Sequence, residues 1–337
     1  MLNTSIAIRL QEARLMRGLS MEKLAESMGG IVSRQSIFRY ETGAMNPRPS
    51  VCRSLVKALG ISEEYLLGTS ISLDKPMLRS TAGDSLTDDD LERLEARLSF
   101  WVERYLAKES EIGYRSDFSN PIKELVVSSE DDASMAADLL RERWRCGDGP
   151  IPSILRLLER KGIKMLDTSL PDNIWGLSTW ADKVHPLIVI DMSKGKTTID
   201  RLRFTVGHEL GHLLLTFPDG MEKKRQEKLC NKFSSFFLFP KATFIAEMGS
   251  PEREAITLQE LIDLKEVYGV SVAAMVHEAW DIRMISREHY DWWYDDVIKK
   301  NWLETGWGTY QFPETLGREM RVDSIVDEKQ EKEKYVE

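Results

Sequence analysis

The 337-residue chain has no apolar run of the roughly 18 to 20 residues that a bilayer-spanning helix requires. Its first residues, MLNTSIAIRLQEARLMRG, hold no apolar core followed by a small-residue cleavage site. Both absences lead us to expect a cytoplasmic protein with no membrane partner. Cysteine is scarce: Cys52, Cys146 and Cys230 are odd in number, far apart, and form no C-x-x-C pair. That argues against a disulfide framework and a cysteine-based zinc ribbon, and leaves buried free thiols as the expectation. There is no internal repeat. Net positive charge is lacking too; a balance of −9 argues against a general nucleic-acid coat.

What is present reads as ordinary globular material, 42% apolar and 30% charged, enough for two or three domains. The charge is unevenly spread. Residues 1–68 carry nine Lys/Arg against six Asp/Glu, and the remainder 37 against 49. A head of +3 on a body of −12 is compatible with DNA contact confined to the head.

Residues 1–68 read as short helices, with Ile8, Leu15, Leu24, Ala25, Met28, Ile37, Leu55, Leu59 and Leu66 at helical spacings. Breaks fall at Gly18, Gly29-Gly30, Gly43 and Pro47/Pro49, and Ser20 and Ser33 stand as N-caps. Two successive helices, SMEKLAESM and SRQSIFRYETG, suit a helix-turn-helix. Arg34, Gln35 and Arg39 would then face base edges, with Ser33 and Ser36 in reach of phosphates. A small helical bundle without DNA contact is the plainer alternative.

Residues 69–118 read as a polar linker over 69–90, then an amphipathic helix over 91–106 with Leu91, Leu94, Leu98, Trp101, Val102 and Tyr105 on one face. That stripe serves either dimerisation or, the preferred reading, packing on the body. In 119–312 two helices precede three short strands, IKMLDT, IWGLSTWAD and HPLIVID, and five helical segments follow. Helices, a small sheet, then helices make an α+β fold. The charged tail, 313–337, is expected to be frayed at its end.

The segment RFTVGHELGHLLL places His208 and His212 four residues apart, on one face of a helix, where both can grip one ion. Glu209 is offset toward the ion's open side, placed to take a proton from water and later deliver it to a leaving amine. A third ligand is needed. Of Asp219, Glu222 and Glu227, the last is best placed, because its helix becomes apolar beyond it; the alternative is one more solvated charge in EKKRQEK. Asn231, one turn on, can steady a ligand imidazole. His277 is a candidate for stabilising an oxyanion, against the plainer reading of a structural helix residue. His185, His289, Tyr268 and Tyr290 have no assigned role.

Three stretches, RLRFTVGHELGHLLL, EKLCNKFSSFFLFPK and LIDLKEVYGVSVAAMVHEAWDIRMIS, resemble the ImmA/IrrE zinc metallopeptidases over about 119–312. In that family H-E-x-x-H is followed by E-x-x-A-N-x-F-A-x-x-L-L-x-P. Glu227, Asn231, Phe233 and Pro240 match, with Cys230 in place of Ala. The resemblance implies a zincin-like, mostly helical domain with a small sheet, one Zn2+ per chain, and Glu227 as third ligand. Residues 5–68 resemble the Xre/Cro-like helix-turn-helix, with two departures: Met21 replaces the usual phosphate-contacting Gln, and the turn carries extra residues, GGIV.

Together the resemblances imply a DNA-binding regulator with a zinc endopeptidase, active or latent. Its expected partners are a double-stranded DNA operator, a helix-turn-helix repressor, antitoxin or cognate toxin, and, on paired half-sites, a second copy of the chain as a homodimer. Control of a mobile-element, stress or phage-defence operon is the implied role. The alternative is a non-proteolytic transcription factor or antitoxin whose zinc domain senses a signal or binds a toxin.

Overall fold

Side-chain caps and glycine stops define the head. In the computed structural model, which describes residues 4–334 apart from 62, 69–70, 75, 81–86, 115–117, 172–173, 194–197, 250–252 and 254, five helices form first. They are α1 (Thr4–Met16), α2 (Met21–Ser27), α3 (Arg34–Glu41), α4 (Pro49–Leu59) and α5 (Glu63–Leu67). Ser20 Oγ accepts from Lys23 N and Ser33 Oγ from Ser36 N, both at 3.2 Å, satisfying N–H groups that a helix start leaves open. The α2–α3 turn passes through Gly29 and Gly30 at φ 67° and 74°, so the extra turn residues are taken up in left-handed backbone that glycine tolerates.

Leu10, Leu24, Ile37, Leu55, Leu59 and Leu66 make the centre of the head's core. Two of the apolar positions read at helical spacing in α1 lie off the core. Ile8 is 39% exposed and Leu15 only half-buried, while Ile6, Leu10 and Ala13 point inward. Both stripes have helical period, and the sequence of one helix cannot say which faces the others. A buried bidentate pair, Arg14 Nε–Glu41 Oε1 2.7 Å and Nη2–Oε2 2.8 Å, ties α1 to α3.

The body adds β1 (Met77–Ser80), α6 (Asp88–Glu111), α7 (Glu130–Trp144), α8 (Ile154–Arg160), β2 (Lys164–Asp167), β3 (Ile174–Ala181) and β4 (His185–Ile190). Then follow α9 (Ile199–Leu214), α10 (Lys223–Leu238), α11 (Lys241–Met248), α12 (Leu258–Tyr268), α13 (Val272–Asp281), α14 (Arg287–Trp292), which runs on into π- and 3-10 turns, and α15 (Arg318–Lys334). The fold is α+β, mostly helical, as expected. The sheet order is β1-β3-β4-β2; β2 and β4 are parallel, the other pairs antiparallel. One face, with Met165, Ile188 and Ile190, packs on α9 and the main helical core. The other, with Leu177, Leu187 and Val189, packs on Leu94, Leu98 and Val102 of α6. Period-2 alternation buried on both faces explains the nearly continuous apolar run HPLIVI.

Two stretches depart from expectation. Part of the polar 69–90 segment is a strand: Met77–Ser80 pairs with β3, although Thr69, Ser70 and 81–86 lie outside the described residues. Its MLRS sequence is too short to show alternation, and pairing rather than propensity makes it a strand. The charged tail forms α15, which docks on α6: Val322 and Val326 are buried, Trp101 Nε1 donates to Glu319 Oε1 at 2.9 Å, and Lys108 pairs with Asp323. The segment before it is also built in, since buried Glu314 accepts from Ile154 N (3.0 Å) and Leu155 N (3.1 Å) at the start of α8.

Helix α6 packs within this chain, against α1 of the head, the sheet and α15. At the head contact Arg9 Nη1 meets Glu103 Oε2 at 3.0 Å, Tyr65 and Phe100 rings lie 5.1 Å apart, and Tyr65 OH donates to Glu12 Oε2 at 3.2 Å. Burial, with Glu103 alongside, pushes the Glu12 carboxyl up to about 7. A raised acid contributes stability that is full below its unfolded value of 4.5 and is lost as pH rises through 7. Glu12→Gln should therefore match wild type near pH 4.5 and unfold at a progressively higher temperature than wild type up to pH 8. Parallel melting curves across that range would refute the assignment.

Candidate metal centre and recognition helix

Helix α9 carries His208, Glu209 and His212, and α10 carries Glu227 and Asn231. What brings them together is close helix packing. Gly207 and Gly211, four apart, face Ser234 and Cys230, also four apart; a Cβ at Gly211 would sit 3.2 Å from Cys230 Sγ, and one at Gly207 would collide with Ser234 Oγ. Small residues on both sides let the backbones approach. Ser234 Oγ then donates to Phe204 O at 2.8 Å across the contact. At its N-terminal half α9 is held by fully buried Arg203, which pairs with Glu314 and donates to Ile151 O at 2.9 Å.

The donor atoms converge. His208 Nε2 and His212 Nε2 are 3.0 Å apart, His208 Nε2 lies 3.1 Å from Glu227 Oε2, and His212 Nε2 lies 3.4 Å from Glu227 Oε1. Ligands bonded to zinc at about 2.0–2.1 Å in a tetrahedron are about 3.3 Å from each other, so the set has the size of a zinc site. Among the described residues these three are the only group of His, Cys, Asp and Glu so disposed. Asn231 Oδ1 accepts from His208 Nδ1 at 2.8 Å, which turns Nε2 toward the site. Cys230 Sγ lies 3.6 Å from His212 Nδ1, a weaker hold on the second ring. Burial pushes the Glu227 carboxyl up, but hydrogen bonding to His208 and His212 outweighs it and holds the group well below the usual carboxylate range. A carboxylate in that form suits a cation.

Glu209 is fully buried between α9 and the sheet, and its Oε2 accepts from Ser178 Oγ of β3 at 2.7 Å. Gly176 makes room, since a Cβ there would lie 2.7 Å from Thr205 Cγ2 and 3.4 Å from Glu209 Cγ. Ser178 is a site residue that sequence reasoning did not identify; only the neighbourhood of Gly176 in an otherwise bulky strand hinted at close approach.

His277 lines a cavity of about 330 Å³ with Asn231, Lys232 and Tyr294. Its Nδ1 lies 3.4 Å from Asp281 Oδ2, and its ring meets Trp280 and Tyr290 edge-on. His289 Nε2 accepts from Ile256 N and Trp293 Nε1, each at 3.2 Å, a structural arrangement. Tyr268 stacks on Phe239 and donates to Glu247, and His185 begins β4.

On α3, Arg34, Gln35 and Arg39 are exposed, and Arg34 pairs with Glu22 of α2. Ser33 and Ser36 bond each other at 3.1 Å while capping the helix. Phe38, 51% exposed, lies among these polar groups, an exposed apolar side chain that sequence reasoning passed over.

Residues 158–279 match the family model of the IrrE N-terminal-like domain, a peptidase family, and residues 10–66 match a helix-turn-helix model. The chain thus carries one segment similar to each of these two families. No curated protein matches it. The peptidase match spans the helices that carry the His-His-Glu group, and similarity to that family agrees with a metal at this group. No helix among the described residues is long and apolar enough to cross a membrane.

Two substitutions test the geometry. Asn231→Ala should lower zinc affinity about 10- to 100-fold by freeing the His208 ring, read by chelator competition. Glu227→Ala should lose more. Unchanged affinity in both would place the metal elsewhere.

Proposed function

We propose that the protein is a DNA-binding regulator whose body is a zinc-dependent endopeptidase acting on one regulatory protein, a helix-turn-helix repressor or an antitoxin. The observation that carries this reading is the His208–His212–Glu227 group with Glu209 beside it, behind a helix-turn-helix head in one chain. His208, His212 and Glu227 hold the metal. Bound there, zinc supplies a Lewis acid for water and for a peptide carbonyl. Asn231 holds His208 in its ligand tautomer. Glu209 is the proton acceptor, and Ser178 orients its carboxylate; later Glu209 returns the proton to the leaving amine. Arg34, Gln35 and Arg39 read base edges, and Ser33 and Ser36 lie at the helix start nearest the DNA backbone. Sharing a chain raises the local concentration of peptidase at the operator where its substrate sits.

The test is sequencing of the fragments made when zinc-loaded protein meets the repressor and toxin-antitoxin products of its own locus. Cleavage at one defined bond is expected. Glu209→Gln should retain one zinc per chain and abolish cleavage; if that variant also regulates its operon and releases its targets like wild type, the endopeptidase reading is wrong. For the head, Arg39→Ala should cost about 1–3 kcal/mol of operator affinity with relaxed base preference at one position. A uniform loss across all sequences would instead make Arg39 a phosphate contact.

A further inference from the structure

The outer edge of β3 is covered along its length by the segment that joins head to body. Asp182 N donates to Ser72 O at 2.8 Å, Leu73 bridges Ala181, and Asp74 N donates to Trp180 O at 2.9 Å. Thr179 Oγ1 donates to Asp74 O at 2.6 Å. From Met77 the pairing continues: Met77 is opposite Ser178, Leu78 opposite Leu177, Arg79 opposite Gly176, and Ser80 opposite Ile174 past a bulge. The partners of Met77 and Arg79 are the two β3 residues that touch Glu209: Ser178 bonds its carboxylate, and Gly176 leaves space for its Cγ. Helix α9 underlies β3 and β4 and reaches β1 as well. A strand in the position of β1 therefore runs antiparallel beside the Glu209 carboxylate.

Resting on the endopeptidase reading, in which an extended substrate segment pairs with the β3 edge over residues 174–178, we propose that Met77–Ser80 occupies that edge in cis and must leave before substrate can add. Main-chain pairing supplies the affinity and the alternate side chains the selectivity, as in other strand-addition sites. The substrate is then a segment free to become extended, a linker or a locally unfolded stretch, and not the face of a folded helix. It must displace a strand only four residues long, with a bulge at Arg79/Ser80. Such a short, irregular pairing is a weak hold, suited to exchange. Because β1 lies in the chain between the head and α6, which packs on α1 of the head, the occupant's departure is coupled to movement between head and body. If β1 served merely to cover a sheet edge, a separate peptide would have no site there.

The experiment measures binding in the full chain carrying Glu209→Gln, using a fluorescein-labelled peptide of residues 75–82, KPMLRSTA. Replacing Pro76–Ser80 by a Gly/Ser segment of equal length should tighten peptide binding at least ten-fold over the intact chain. In a second variant, Met77→Cys with Ser178→Cys, oxidation should staple β1 in place and abolish binding, and reductant should restore it. Equal binding by intact and replaced chains, or by stapled and reduced chains, overturns the proposal, as does no binding to any of them. Because the readout is binding and not turnover, a chain that proved inactive or metal-free would overturn the endopeptidase reading and leave this result standing.

Discussion

The closeness of α9 to α10 is the constraint on which the site depends. Gly207 and Gly211 on one helix meet Ser234 and Cys230 on the other. That contact sets the separation at which Glu227 reaches His208 and His212, and at which Asn231 reaches the far nitrogen of His208. Bulkier residues on either side would push the helices apart, and a site built from atoms about 3 Å from one another has no slack for it. The buried Arg203–Glu314 pair and the apolar core around Phe233 and Phe237 hold α9 and α10 in that register.

The sheet completes the site from the opposite side. β3 is stripped of bulk at Gly176 and polar at Ser178, so Glu209 is received by a strand and not by solvent. The other face of the same sheet rests on α6, and α6 carries the head on Arg9–Glu103 and Tyr65–Phe100. Head, sheet and metal centre are thus linked through one long helix. The linking segment itself returns to the sheet as β1.

Much of this was legible in the sequence because it rests on local rules. The pair at His208 and His212 follows from helical period, the caps at Ser20 and Ser33 from hydrogen bonding within one turn, and the strands at 164–167, 174–181 and 185–190 from apolar patterning. Glu227 needed more: from spacing alone it competed with its charged neighbours, and resemblance singled it out. Less was legible wherever two solutions satisfied the same period. The inward stripe of α1, Ile6 and Leu10 in preference to Ile8, depends on where other helices lie.

Determined by sequence alone are the chemistry and its order along the chain: a basic head with two capped helices, and a body with H-E-x-x-H and a downstream carboxylate. Only tertiary structure decided that Ser178 orients Glu209, that MLRS becomes a strand, and that a highly charged tail becomes a helix docked on α6. The reason is the same in each case. These residues carry no strong local preference, and they take their conformation from partners far away in sequence that supply the missing hydrogen bonds or cover the apolar side chains.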